Sequence, residues 1–159
     1  MYEINPPRIS ADQNIVNRLF ERIESISSIC DGIHLTDSVF GVPRISPLSI
    51  SKKIRETNQK IKLTCSLRVR DKELNSIEEI VRESVGIVDG VLILMGDKSN
   101  TSEDKTNLVS SQVITTLNDK GLNEKLDSSQ FLILVDIYWG KYQIWKLRNR
   151  NHSWVWQLA

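Results

Sequence analysis

Three observations predict a parallel α/β fold. Short apolar runs rich in β-branched residues alternate with stretches of helical periodicity, the pattern of successive βα units. The first four runs recur about every 30 residues, the size of one βαβ repeat. Polar residues collect at one end of each run, which in parallel folds is the end where ligands bind. The strands are expected at roughly Met1–Ile4, Gly32–Leu35, Ile61–Cys65, Gly90–Met95 and Phe131–Ile137. Laid side by side in chain order with right-handed crossovers, they make a singly wound sheet; the alternative is a doubly wound sheet with reversed strand order and helices on both faces.

The first strand delivers one carboxylate and stops. In Tyr2-Glu3-Ile4-Asn5-Pro6-Pro7 neither proline can donate to a sheet ladder, so Glu3 is expected near the strand's C-terminal tip. A carboxyl beside apolar neighbours that desolvate it is a candidate proton donor or acceptor. Ser10 with Gln13 fits a capping box for the helix that follows, in which Ile15, Leu19, Ile23 and Ile26 recur at helical spacing. The second tip carries His34, Thr36 and Asp37, and Ser46-Pro47 then reads as an N-cap with proline at the first helical position. Ile50 and Ile54 lie one turn apart on the inner face of that helix.

Thr64 and Cys65 end the third run, and Ser76 with Glu79 is a second capping box, ahead of Ile80 and Val81. Gly96-Asp97 ends the fourth. A helix over about Thr106–Asp119 buries Leu108, Val109, Val113 and Leu117 and stops at Gly121, a suitable left-handed cap. The fifth tip carries Asp136. Asp, Thr and Ser favour caps and turns in any case. Their coincidence at five successive tips is what points to a ligand.

Bulk composition narrows the function classes. A chain of 159 residues can bury one sizeable core, and 40% hydrophobic with 26% charged residues is an ordinary globular balance. A net charge of +1 gives no basis for a nucleic-acid or membrane-surface partner, leaving a small molecule or a protein. Cys30 and Cys65, with His34 and His152, have no metal-ligand spacing and read as reduced thiols. No run reaches the ~18 apolar residues of a membrane span, no secretory leader is visible, and the cytoplasm is the expected location. There is no glycine-rich phosphate loop. Arg68-Val69-Arg70-Asp71-Lys72 reads either as a grip for a phosphate or a polyglutamate tail or as a mixed-charge surface loop.

The tips, in this order, resemble the methylenetetrahydrofolate reductase family. Tyr2-Glu3-Ile4-Asn5-Pro6-Pro7 looks like its F-E-x-x-P-P opening strand, Leu35-Thr36-Asp37 like its V-T-D element, Lys62-Leu63-Thr64-Cys65 like its H-L-T-C, and Leu94-Met95-Gly96-Asp97 like its L-R-G-D. The resemblance covers residues 1 to about 120, four motifs spaced as βα repeats. It implies a β8α8 barrel, here a partial one, that binds FAD (or FMN) at the strand tips, accepts electrons from NAD(P)H and reduces the methylene bridge of a folate-type pterin to a methyl group. Carried over residue by residue, Glu3 protonates the pterin nitrogen so that the bridge opens to an iminium ion. Asp97 stabilises that cation, and Thr36, Lys62, Thr64, Met95, Gly96 and Asp97 hold the flavin or the pterin. Glu3 and Asp97 are then expected on one mouth, within about 10 Å of each other, as one small ligand requires.

The chain departs from that pattern in three places. Lys62 stands where the family commonly has His, Met95 stands where it has Arg, and the tyrosine expected around Asp104–Lys105 is missing. An eight-stranded barrel takes about 250 residues, so the partial barrel is assigned to residues 1–137. The tail 138–159 holds all four tryptophans (Trp139, Trp145, Trp154, Trp156) and a basic run at Lys146, Arg148 and Arg150, without helical periodicity. Three readings stay open for it: non-native sequence after a truncation or frameshift, interface anchors of a half-barrel that pairs with itself or a partner chain, or a sixth strand near Ser153–Gln157. A non-catalytic interaction subunit is therefore the alternative to the enzyme.

Overall fold

The computed structural model describes residues 1–38, 42–70, 72–96 and 108–122, and the backbone of 132–135. Five strands, β1 (Tyr2–Ile4), β2 (Gly32–Leu35), β3 (Lys62–Arg68), β4 (Gly90–Leu94) and β5 (Leu132–Val135), alternate with α1 (Gln13–Ser27), α2 (Pro47–Thr57), α3 (Leu74–Ser84) and α4 (Ser110–Asp119). Every neighbouring pair is parallel and the order is β1-β2-β3-β4-β5. The expected α/β class and strand order are both found. Among the described strands β1 has β2 as its one neighbour and the order does not reverse, unlike the doubly wound alternative.

Register divides the strand residues into two faces, because side chains alternate along each strand. Ile4, Leu35, Cys65 and Val91 share one row, as do Ile33 and Leu63, and all are buried. They form a single core with Ile23 of α1, Ile50 and Ile54 of α2, Ile77 and Val81 of α3, and Val113 and Leu117 of α4. A sheet that never doubles back puts its connecting helices on one face, and that face is the apolar one. The opposite face carries Glu3, His34, Thr64, Ser66 and Arg68, the polar positions of the same alternation.

The helices form where expected, but their starts move. α1 is capped by Asp12, whose side chain accepts from the Ile15 N–H, and not by Ser10. Asp at the N-cap satisfies one of the orphan N–H groups of the first turn as well as Ser would. Ser46 and Pro47 do open α2. α3 begins at Leu74 with Glu73 before it, so Ser76 lies inside the helix and caps nothing. α4 begins at Ser110, and Val109, expected in the core, is exposed; Gly121 follows the helix at φ +64°, the left-handed stop that only glycine adopts cheaply. Ile15 is likewise exposed, the core side of α1 being carried by Ile23 and Ile26. β3 runs three residues past its expected end because Leu67 continues the buried alternation of Leu63 and Cys65. The tail 138–159, Asp97, Asp136 and the region Asp104–Lys105 lie outside the described residues.

Candidate functional site

The polar face is built row by row. Glu3, His34 and Thr64 are register partners on adjacent strands, with Gly90 of β4 completing the row. Adjacent strands stand about 4.8 Å apart, so these side chains rise from the sheet as close neighbours. One row toward the C-terminal tips on the same face, Thr36 Oγ1 donates to Asn5 Oδ1 at 2.5 Å, and the Thr36 N–H extends the ladder to Ile4 O.

His34 is the hub. Its Nδ1 lies 2.8 Å from Thr64 Oγ1 and its Nε2 2.9 Å from Ser66 Oγ. Thr64 Oγ1 also lies 3.6 Å from Met1 Sδ, so its one proton has either the sulfur or His34 Nδ1 as acceptor, according to the ring tautomer. Burial pushes the His34 pKa down, and the nearby Glu3 charge opposes that shift without cancelling it. The result is an imidazole whose neutral form is favoured, with a hydroxyl on each ring nitrogen. Glu3 itself is exposed, so the apolar neighbours expected to desolvate it do not do so.

The strand tips beyond this row are stitched by charge. Asp37 accepts from the Arg68 backbone N–H at 3.0 Å and pairs with Lys72 Nζ at 3.3 Å. Arg68 is buried and donates from Nη1 to Ser38 O at 2.9 Å, while Arg70 Nε donates to Gly96 O at 3.0 Å. Gly96 has φ +80°, and a Cβ there would stand 2.6 Å from Arg68 Cγ. Glycine is needed at that tip because the Arg68 stem lies across it. Cys65 is turned to the helices; burial, with the Asp37 charge adding to it, pushes its thiol up to about 12.

The expected site residues therefore separate. Glu3, Thr36 and Thr64 share the polar face. Met95 packs against the apolar core on the helix side. Lys62 is exposed at the opposite end of the sheet, two residues before Thr64, whereas Gly96 follows Gly90, the partner of Thr64, by six. Eight residue positions correspond to about 26 Å along the strands, so one ring system cannot touch Lys62 and Gly96 together. Asp97, the second catalytic candidate, falls outside the described residues. Ser66 received no site role from the sequence, while His34 entered only as one of the polar residues at the second tip and Arg68 only as part of a segment read as a phosphate grip or a surface loop. The signal was present in the alternation Thr64, Ser66, Arg68 between Leu63, Cys65 and Leu67, which continues past the expected end of the strand.

Among the described residues no group of three or more His, Cys, Asp or Glu is placed to hold a metal ion, and no helix is long and apolar enough to cross a membrane. No protein-family model and no curated protein matches the chain.

Proposed function

We propose that this chain is a methylenetetrahydrofolate reductase-like protein whose polar sheet face takes a folate-type pterin, with Glu3 as its proton donor. One observation carries the reading: Glu3, Thr36 and Thr64, which come from three separate motifs of the resemblance, stand on one face of the sheet, with His34 between Glu3 and Thr64 in a single row. A flat heterocycle laid on this row would exclude water from Glu3, and desolvation is what a carboxyl needs to keep a proton for transfer. Protonation of the pterin nitrogen opens the methylene bridge to an iminium ion. His34, whose burial disfavours the protonated form, adds no competing positive charge beside that cation.

The sheet supports a partial β8α8 barrel as the frame. Its C-terminal edge steps forward by three residues between β2, which ends at Leu35 opposite Cys65, and β3, which ends at Arg68. A closed eight-stranded barrel of this class advances about one residue per strand, or about three from the first strand to the fourth. The hydride acceptor chemistry of the resemblance requires a reduced flavin, FAD or FMN, recharged by NAD(P)H. The described residues expected to hold that group do not form one cradle, since Lys62 stands at the far end of the polar face and Met95 packs on the helix side. The chemistry assigned to this chain is therefore the acid step.

The test is turnover of a methylene-bridged tetrahydropterin by the full chain supplied with FAD or FMN and NAD(P)H, beside a binding titration of the same pterin. Glu3→Gln is expected to lower methyl-pterin formation by about a hundredfold or more, while flavin reduction by the nicotinamide donor is unchanged. Equal loss in both half-reactions would assign Glu3 a structural role. A second reading rests on β1, which has β2 as its one partner among the described strands and so presents an open edge. On that reading the chain is a non-catalytic half-barrel that pairs with a partner chain or a second copy. Absence of pterin binding, together with a dimer mass by light scattering, would select it.

A further inference from the structure

Arg8 and Arg44 face each other across an isolated antiparallel bridge. The flanking bonds, Ile9 N–H to Pro43 O at 3.3 Å and Ile45 N–H to Pro7 O at 2.9 Å, make this the non-hydrogen-bonded kind of pair. That kind brings opposed side chains closest, with Cα atoms about 4.5 Å apart and both side chains on one side. Two like charges so placed repel. Prolines at positions 6, 7 and 43 stiffen both segments and hold the arrangement.

No carboxylate answers this pair among the described residues. Arg44 donates from Nη1 to Pro6 O at 2.6 Å, and its Nε, shielded from water, has no acceptor. The edge of a guanidinium formed by Nε and Nη2 is the one that forks onto a carboxylate or a phosphate. The two arginines follow the C-terminal tip of β1 and precede α2, the helix after β2. They therefore lie on the tip side of the sheet, the side where Thr36 and Asn5 meet.

We propose that Arg8 and Arg44 form an anion-binding site for an oxyanion group, a phosphoryl or a carboxylate, at the tip end of β1 and β2. An oxyanion drawn between the two guanidinium groups relieves their repulsion, and a turn of the part-buried Arg44 side chain gives its shielded Nε–H the acceptor it lacks. The site does not depend on what occupies the polar face.

The full chain, with no pterin or flavin present, is titrated with inorganic phosphate and separately with glutarate, ionic strength being held with sodium chloride. The arginine Nε–H signals are followed by NMR. A saturable shift of the Arg44 signal is expected with at least one of the two anions and not with chloride. Tighter binding of phosphate assigns the site to phosphoryl groups, and tighter binding of glutarate assigns it to carboxylates. Arg8→Gln changes an exposed side chain and keeps the Arg44 fork in place; it is expected to weaken binding about tenfold, the loss of one charged partner. Arg44→Gln should abolish the response, read from the anion-dependent rise in unfolding temperature. Shifts no larger than those in chloride, or unchanged affinity in Arg8→Gln, would overturn the proposal.

Discussion

Removing the guanidinium of Arg55 should loosen the end of the sheet opposite the candidate site, by an amount the structure allows to be estimated. Arg55 lies in the last turn of α2 and donates from Nε to Ile87 O at 2.7 Å, from Nη1 to Gln59 O at 3.0 Å and Ile61 O at 2.7 Å, and from Nη2 to Asp89 Oδ2 at 2.7 Å. The same Asp89 oxygen accepts from the Leu63 N–H at 2.7 Å. One side chain thus ties the end of α2 to the segments entering β3 and β4. In Arg55→Met the stem still packs while every donor is lost. The bonds to Ile87 O and Ile61 O are part-buried and charge-assisted, worth about 1 to 1.5 kcal/mol each, and the exposed bond to Gln59 O about 0.5. The Asp89 carboxylate is 41% exposed, so the ion pair itself adds at most about 0.5 kcal/mol. The expected loss is about 3 kcal/mol. In urea unfolding followed by circular dichroism that is a midpoint lowered by roughly 1–2 M, and in thermal unfolding a fall of about 6–12 °C. A loss under about 1 kcal/mol, or an Arg55→Lys variant as stable as the parent, would refute the reasoning, since lysine cannot fork to three segments.

Two further outcomes follow from the titrating groups. His34 has its folded pKa below the ordinary value of 6.5, so the unfolded state binds the proton first as pH falls. The stability contributed by neutral His34 is complete above that value and declines as pH drops below it; His34→Gln should flatten this slope in urea midpoints measured between about pH 7 and 5. A slope unchanged in the variant would place the proton uptake elsewhere. Cys65, buried and pushed up to about 12, should resist iodoacetamide in the folded protein at mildly alkaline pH and react once the chain is unfolded in urea. Its contribution to stability is lost only as pH rises past the thiol's ordinary 9.0, because the unfolded thiol ionises first. Peptide mass mapping that finds Cys65 modified as fast in the native protein would show that the strand face is open to solvent.

The expected elements and their parallel order are found because they rest on local rules. Apolar runs of strand length, Pro47 at the start of α2 and Gly121 after α4 are legible one segment at a time. The helix starts were less so. Ser10 and Ser76 matched a capping pattern that Asp12 and the segment around Glu73 displaced, since several residues near a helix start can satisfy its orphan N–H groups. The third strand ended too early because a short alternation does not say where tertiary packing stops. Leu67 belongs to it because α2 and α3 supply a core for it to enter.

The candidate site divides in the same way. Sequence by itself placed Glu3, Thr36 and Thr64 on strands or their tips, since each lies in or beside an apolar run that stops. It could not say that Lys62 and Gly96 belong to opposite ends of the sheet, or that Met95 turns to the helices. Register between strands decides both, and a shift of one residue exchanges the two faces. His34 became the hub only when β2 and β3 were laid side by side, putting Thr64 and Ser66 on its two ring nitrogens. Sequence determines which residues alternate; pairing across some thirty intervening residues determines which of them meet, and a hydrogen bond at 2.8 Å is decided by the second.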